Sequence, residues 1–192
     1  MKARFGLIAL LIFSLVGCSK PKPLWLNSQV KFYIGDQGSC SLTVISTNRA
    51  ITAAHCLPIV PTPLGIMELP DVMHLEDGRV LKIETIDIRL DRAMVSGDFS
   101  GFIPAEVDFD SAEMFKVEAA IVCGYPGRSK ELRCTLAKRV RNEAFEACFD
   151  VTLLPGQSGG GVFSLDGKLI GINQRVTEDG ISCVNTPTGM VE

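Results

Sequence analysis

The sequence predicts an all-β domain, and three observations carry that prediction. From Gln29 onward, short apolar runs rich in β-branched residues are separated by turn residues at the spacing of barrels and sandwiches. Asp166-Gly167 divides "GVFSL" from "KLIGINQ" and signals a two-residue hairpin turn. Helical periodicity is convincing only at the N-terminus. A chain of 192 residues with a formal charge of −3 suits one domain, or two closely packed sub-domains, with enough interior for a real core. No basic stripe stands out, so nucleic acid is not an expected partner.

The elements follow in order. "MKARFGLIALLIFSLVGC" opens with Lys2 and Arg4 and continues apolar from Phe5 to Val16. That run is shorter than the ~20 residues of a comfortable membrane span. Its length suits the apolar region of a signal peptide, with an uncleaved anchor as the alternative. "LVGC" (15–18) resembles the lipobox of bacterial lipoproteins. The resemblance implies that 1–17 is a signal peptide, cleaved before Cys18, and that Cys18 carries lipid and anchors the chain to a membrane. Several acyl chains give lasting attachment where one gives only marginal binding. Ser19 after the cysteine favours the periplasmic side of the outer membrane. Residues 18–28, with "SKPKP" (19–23), form a short stiff tether before a domain spanning 29–192. Loss of Lys2 and Arg4 takes the formal charge from −3 to −5.

Seven cysteines are an odd number, awkward in an exported protein unless one is otherwise engaged. With Cys18 lipidated, Cys40, Cys56, Cys123, Cys134, Cys148 and Cys183 remain, an even set that reads as three disulfides in an oxidising compartment. Six reduced cysteines in a cytosolic protein would need a different leader.

Strand signals then recur: "SLTVIS" and "AITAAHC" around "TNR", "VMHL" and "RVLKIETIDI" around "EDG", "AAIVCGYPG", and "CFDVTLLPG". "SAEMFKVEAA" (111–120) and "KRVRNEAFEA" (138–147) have helical composition but sit between strands, and both stay open. No internal repeat or low-complexity segment appears after the tether.

The stretch "LPGQSGGGVF" (154–163) sets four glycines, Gly156 and Gly159 to Gly161, around Gln157 and Ser158. Glycine weakens a strand by ~0.5–1 kcal/mol, so the run needs a reason. A tight turn is one; backbone that must press against a substrate and aim its N–H groups is another. In the second case Ser158 is a nucleophile and needs a base beside it. Two histidines exist. His74 in "VMHLEDG" suits a solvated strand position. His55 in "ITAAHC" stands beside Cys56, but no second histidine lies at a metal-ligand spacing, so neither metal nor other cofactor is expected.

"TAAHC" (52–56) and "GQSGG" (156–160), in that order, resemble the two signature segments of the chymotrypsin-like, or trypsin-like, serine peptidases. "PGQSGGGVFSLDGKLIGIN" and "HLEDGRVLKIETIDIRLDRAMV" (74–95) are most similar to the compact bacterial branch, the HtrA-type and glutamyl-endopeptidase-like enzymes. The resemblance spans about 30 to 190. It implies two six-stranded antiparallel β-barrels, divided near 105–118, with the active site in the cleft between them. It makes His55 the general base, Ser158 the nucleophile and Asp91 in "DRAMV" the acid, with Asp87 the rival. Gly156 and Ser158 would supply the oxyanion-hole N–H groups. Many activated members have Asp before the serine, ion-paired with a freshly cut amine. Gln157 stands there instead, which implies that no such cleavage is needed.

The resemblance also implies a Cys40–Cys56 bridge across the histidine loop. For the remaining four cysteines we expect Cys134–Cys148 and Cys123–Cys183. By family position the primary pocket is lined by Thr152, Leu153, Leu154 and Pro155 and by Asn173, Gln174 and Arg175. Thr152, six before the serine, is acidic in trypsins, so a Lys/Arg preference is not expected. Small or medium apolar residues are, while Arg175 leaves room for an acidic one. The expected partner is a protein or peptide substrate. A non-catalytic lipoprotein that keeps the fold as a binding surface, or a structural envelope lipoprotein with accidental motifs, are the rivals, and the joint presence of His55, an aspartate and Ser158 speaks against both.

Overall fold

The computed structural model describes residues 23–34, 38–58, 60–61, 67–68, 71–108, 114–143 and 146–185. The expected signal peptide, Cys18 and residues 19–22 of the tether lie outside the described residues. A 3₁₀ turn, Leu24–Ser28, leads into β1 (Gln29–Tyr33), β2 (Ser39–Val44), β3 (Arg49–Thr52) and a second 3₁₀ turn, Ala54–Cys56. A two-stranded ribbon, β4 (Val60–Pro61) and β5 (Met67–Glu68), precedes β6 (Val72–His74), β7 (Val80–Asp87) and β8 (Arg92–Ser96). The second half contributes β9 (Ala119–Gly124), β10 (Arg133–Glu143), β11 (Glu146–Phe149), β12 (Gly161–Phe163), β13 (Leu169–Val176) and β14 (Ser182–Asn185).

The first six-stranded antiparallel sheet runs β1-β2-β3-β8-β7-β6, and the second closes as the barrel β10-β11-β14-β13-β12-β9. Both expected six-stranded antiparallel sheets are present, one a closed barrel and the other a half-barrel. Among the described residues β6 is only Val72–His74, paired with Lys82–Val80 of β7, and β1 pairs only with β2. So short a strand leaves the first sheet a half-barrel, open between β1 and β6.

Three hairpins share one turn chemistry, Glu76-Asp77-Gly78, Leu165-Asp166-Gly167 and Glu178-Asp179-Gly180. In each, the glycine takes a positive φ, +85°, +95° and +80°, that side-chain-bearing residues rarely adopt. The Asp166-Gly167 turn is thus one residue wider than a two-residue loop, since the Ser164 N–H donates to Lys168 O (2.9 Å) around it. Of 138–147, residues 138–143 belong to β10 and 146–147 to β11, which pair antiparallel, because Ala137, Ala147 and Phe149 all face the barrel core and that packing overrides helical composition. Of 111–120, residues 111–113 lie outside the described set, and Ala119-Ala120 begin β9.

Phe32, Leu42, Leu81 and Phe99 fill the first sheet, and Met114, Phe149, Val162 and Ile170 the barrel. Each such side chain contributes roughly 1.5–3 kcal/mol of burial. A third cluster forms the seam between the halves: Ile51 and Met94 from one, Phe163, Leu169 and Ile172 from the other. Trp25 seals it, its ring 4.5 Å from that of Phe163.

The disulfides correct one expectation. Cys40–Cys56 forms, but the others are Cys123–Cys134 and Cys148–Cys183. Strand register decides this. Cys134 stands directly opposite Cys123 across β9–β10, and Cys148 opposite Cys183 across β11–β14, with Cα atoms 4.1 Å apart in both. Cys148 faces Arg141 on β10, seven residues along from Cys134. At ~3.3 Å per strand residue the expected Cys134–Cys148 pair would be about 23 Å apart.

Candidate active site

His55 sits in the 3₁₀ turn that ends β3, held by the Cys56 bridge to β2. Asp91 lies on the tight turn between β7 and β8 and grips His55 at two points. Its Oδ1 accepts the His55 backbone N–H at 2.9 Å, and its Oδ2 lies 2.7 Å from His55 Nδ1. An ionised carboxylate only accepts, so the contact places the ring proton on Nδ1 and leaves Nε2 as a base. Asp91 is the only non-glycine among the described residues with a positive φ, +45°. Aspartate tolerates this better than most residues, yet it still costs about 1 kcal/mol or more unless the surroundings enforce it. The enforcement comes from the other half of the molecule. Gln174 on β13, buried at 4% exposure, donates its amide to Leu90 O and, at 3.1 Å, to Asp91 O.

Asp87 does something else. Its Oδ1 accepts the Leu90 N–H (3.1 Å) and its Oδ2 pairs with Arg92 (3.2 Å), so it caps the turn that carries Asp91. Burial pushes its pKa up, but the Leu90 N–H and the Arg92 guanidinium outweigh that and leave it below the ordinary value. His74 is an exposed residue at the end of β6.

The glycine run makes a loop whose peptide N–H groups alternate in fate. Those of Gln157, Gly159 and Gly160 donate to Leu154 O, Asn173 O and Gln157 O at 3.1, 2.8 and 3.0 Å. Those of Gly156 and Ser158 meet no acceptor among the described residues. Gly156 has φ +97°, and a Cβ there would lie 2.6 Å from Tyr125 O and 2.8 Å from Ser39 Oγ. No other residue fits without displacing that backbone. Gln157 is buried; its Oε1 accepts the Leu154 N–H (2.9 Å) and its Nε2 reaches Gly124 O (3.4 Å), closing the loop on itself.

Strands of the first sheet hold this loop from outside. Ser41 donates its N–H to Ser158 O (2.8 Å) and its hydroxyl to Gly156 O (2.9 Å). Thr43 Oγ1 donates to Gly159 O (3.3 Å), and the Gly161 N–H donates to Gln29 Oε1 (2.9 Å). His55, Gly156 and Ser158 thereby line one cleft of about 610 Å³. A family model described as a trypsin-like peptidase domain matches residues 38–172, most of the chain.

The chain belongs to the trypsin-like peptidases.

Membership makes it a serine endopeptidase. Among solved structures it is similar to the Rv3671c protease of M. tuberculosis H37Rv in an inactive form, at 18% identity over 85% of each chain, TM-score 0.62. It is also similar to the serine endoprotease from Yersinia pestis (16% identity, TM-score 0.62) and to the HtrA-type protease AlgW with tripeptide (19%, 0.61). These matches cover 85% and 86% of this chain but only 60% of each of those two, and identities this low speak to fold alone. No curated protein sequence is significantly similar to the chain.

The residues assigned to the primary pocket of this peptidase fall into distinct places. Thr152 donates its hydroxyl to Gly180 O (2.8 Å), tying the 150–155 loop to the β13–β14 hairpin. Leu154 is exposed, and Leu153 is buried with its N–H on Ser182 Oγ (3.0 Å). Asn173 is fully buried, its amide on Cys123 O (2.6 Å) and Gln157 O (3.1 Å), where it props the glycine loop from below. Gln174 holds the aspartate turn, as described. Arg175 is ion-paired with Glu146 at 2.5 Å. Sequence reasoning missed Gln29, Ser41 and Thr43 as supports, although fully or nearly fully buried polar residues on apolar strands are themselves a signal that something nearby needs a hydrogen bond.

Proposed function

We propose that this peptidase cuts through a Ser158–His55–Asp91 triad, by way of an acyl-enzyme, while tethered to a membrane by lipid on Cys18. His55 Nε2 takes the Ser158 proton as Oγ attacks the scissile carbonyl, and later returns it to the leaving amine; Asp91 holds the ring and stabilises the imidazolium. The tetrahedral oxyanion falls to the N–H groups of Gly156 and Ser158, and one donor in such a hole is worth ~2.7–4 kcal/mol. The observation that carries the reading is that these two N–H groups are unengaged while their three neighbours are bonded. The double grip of Asp91 on His55 supports it from the other side.

Gln157 supports activity without a cleavage step. Its own amide closes the loop that an aspartate and a new N-terminal amine close elsewhere in the family. For the primary pocket we propose uncharged side chains of small or medium size. Thr152 gives no carboxylate to a basic residue, and Arg175, paired with Glu146, has no charge to spare for an acidic one. The tether rests on the sequence of the leader, and outer-membrane placement on Ser19.

Reaction of the full mature protein with a fluorophosphonate probe tests the triad. The parent should label at Ser158 and the Ser158→Ala and His55→Ala variants should not. A folded, oxidised parent that stays unlabelled refutes the mechanism. Replacement of Cys18 by Ala should move the protein from the membrane to the soluble fraction; unchanged fractionation refutes the anchor.

A further inference from the structure

The cleft beside Ser158 is lopsided. It extends past Gly156 to Tyr33, Gly127 and Arg128, and across to Glu76; of the expected acyl-side pocket only Pro155 borders it, and Thr152 to Leu154 and Asn173 to Arg175 do not. It therefore lies on the side where His55 hands a proton to the leaving amine. A second hollow of about 270 Å³ shares Tyr33 and Glu76 with it and continues between Lys31 and Lys130 along the unpaired edge of β1. Together they make a furrow that leaves the nucleophile and runs into the opening between β1 and β6.

The turn that forms one bank is clamped. Gly127 O accepts from Ser39 Oγ and Lys31 Nζ, both at 2.5 Å, and Lys31 Nζ also reaches Ser129 O at 2.7 Å. The Gly127 N–H donates to Pro155 O at 2.5 Å, directly before the oxyanion loop. The N–H and O of Gly127 and the O of Ser129 are thus engaged, which ties the turn to the loop that carries Gly156. It holds Arg128 at the cleft, and Lys130 follows in the second hollow. No carboxylate pairs with either among the described residues. Three cations therefore line the furrow against the single carboxylate of Glu76.

We propose that the furrow binds the leaving-group side of the substrate and selects an acidic side chain at the second or third residue past the cleaved bond, with Arg128 as the main determinant. This rests on the triad reading and names a substrate class for it. At ~3.3 Å per extended residue, three residues span about 10 Å. The bipolar arrangement sets direction as well. A substrate with basic residues there meets Arg128 and is repelled, while Glu76 limits how strongly a second acidic residue is held.

Partitioning of the acyl-enzyme tests this. In the presence of a peptide amine, the amine nitrogen attacks the acyl carbonyl, the C–O bond to Ser158 breaks, and the amine proton returns through His55 to Oγ. The probes are Ala-Asp-Asp-amide, Ala-Gln-Gln-amide and Ala-Lys-Lys-amide, each competing with water. We expect the acidic probe to be captured about fivefold better than the neutral one, the scale of one exposed ion pair, and the advantage to shrink with salt. Arg128→Glu should reverse the order of acidic and basic probes, and Glu76→Gln should widen the acidic advantage. Equal capture of all three by the parent, or an order unchanged in Arg128→Glu, overturns the proposal while leaving the peptidase mechanism standing. Failure of the folded parent to form any acyl-enzyme overturns the triad reading and this proposal with it.

Discussion

Replacing Gln174 by methionine keeps the length of the side chain and removes both donors from the aspartate turn. The carbonyls of Leu90 and Asp91 then face an apolar side chain in place of an amide. A buried carbonyl left without a donor costs ~1–3 kcal/mol, and because Leu90 and Asp91 are only half-buried the lower end applies to each. The sum is about 2 kcal/mol, or roughly 4–8 °C in melting temperature for a domain of this size. The same 2 kcal/mol is what opposes relaxation of Asp91 from its positive φ. If the turn relaxes, the carboxylate leaves His55 Nδ1, and at ~1.4 kcal/mol per decade the acylation rate falls roughly thirtyfold. Loss of an aspartate altogether costs about 10⁴ in the chymotrypsin-type triad, so the drop must stay well inside that limit. Single-turnover acylation by an ester substrate, measured beside thermal melting, separates the two effects. A variant that melts lower but acylates at the parent rate would show that Gln174 supports the seam and not the triad. A variant unchanged in both would refute the reasoning outright.

Three further outcomes follow from the second barrel. Non-reducing peptide mapping should recover Cys123–Cys134 and Cys148–Cys183; in the chain-entropy picture, loops of 11 and 35 residues make removal of the second pair the costlier, about 4 against about 3 kcal/mol by denaturant unfolding. The Arg141 guanidinium, with the Thr177 hydroxyl, holds the Asp179 carboxyl at about 2, below its ordinary 3.8. Its contribution is therefore present above 3.8 and lost as pH falls through about 2, so Asp179→Asn should melt below the parent near neutrality and converge with it toward about pH 2.

What could be read from the sequence is what is local. The glycine run marks Gly156 and Ser158 as a tight turn or a site, and it is the resemblance of "TAAHC" and "GQSGG" to the two peptidase signatures that singles them out together with His55. The resemblance favoured Asp91 over Asp87 as the acid; the structure sets Asp91 against His55 and gives Asp87 to Leu90 and Arg92. What could not be read depends on register and on partners far along the chain. Cys123 and Cys134 pair because two strands align at that residue, a fact no spacing states. The first sheet stays open because β6 stops at three residues, which its apolar signal does not reveal. Gln174 looks like any strand residue until Leu90 and Asp91, more than eighty positions earlier, are brought beneath its amide.

The glycine loop around Ser158 leans on Ser41, Thr43 and Gln29, all belonging to the half of the molecule that emerges first from synthesis. A chain caught with only one half folded carries the serine and the histidine but not the scaffold that aligns them. Bringing His55, Gly156 and Ser158 to one cleft therefore requires both halves together.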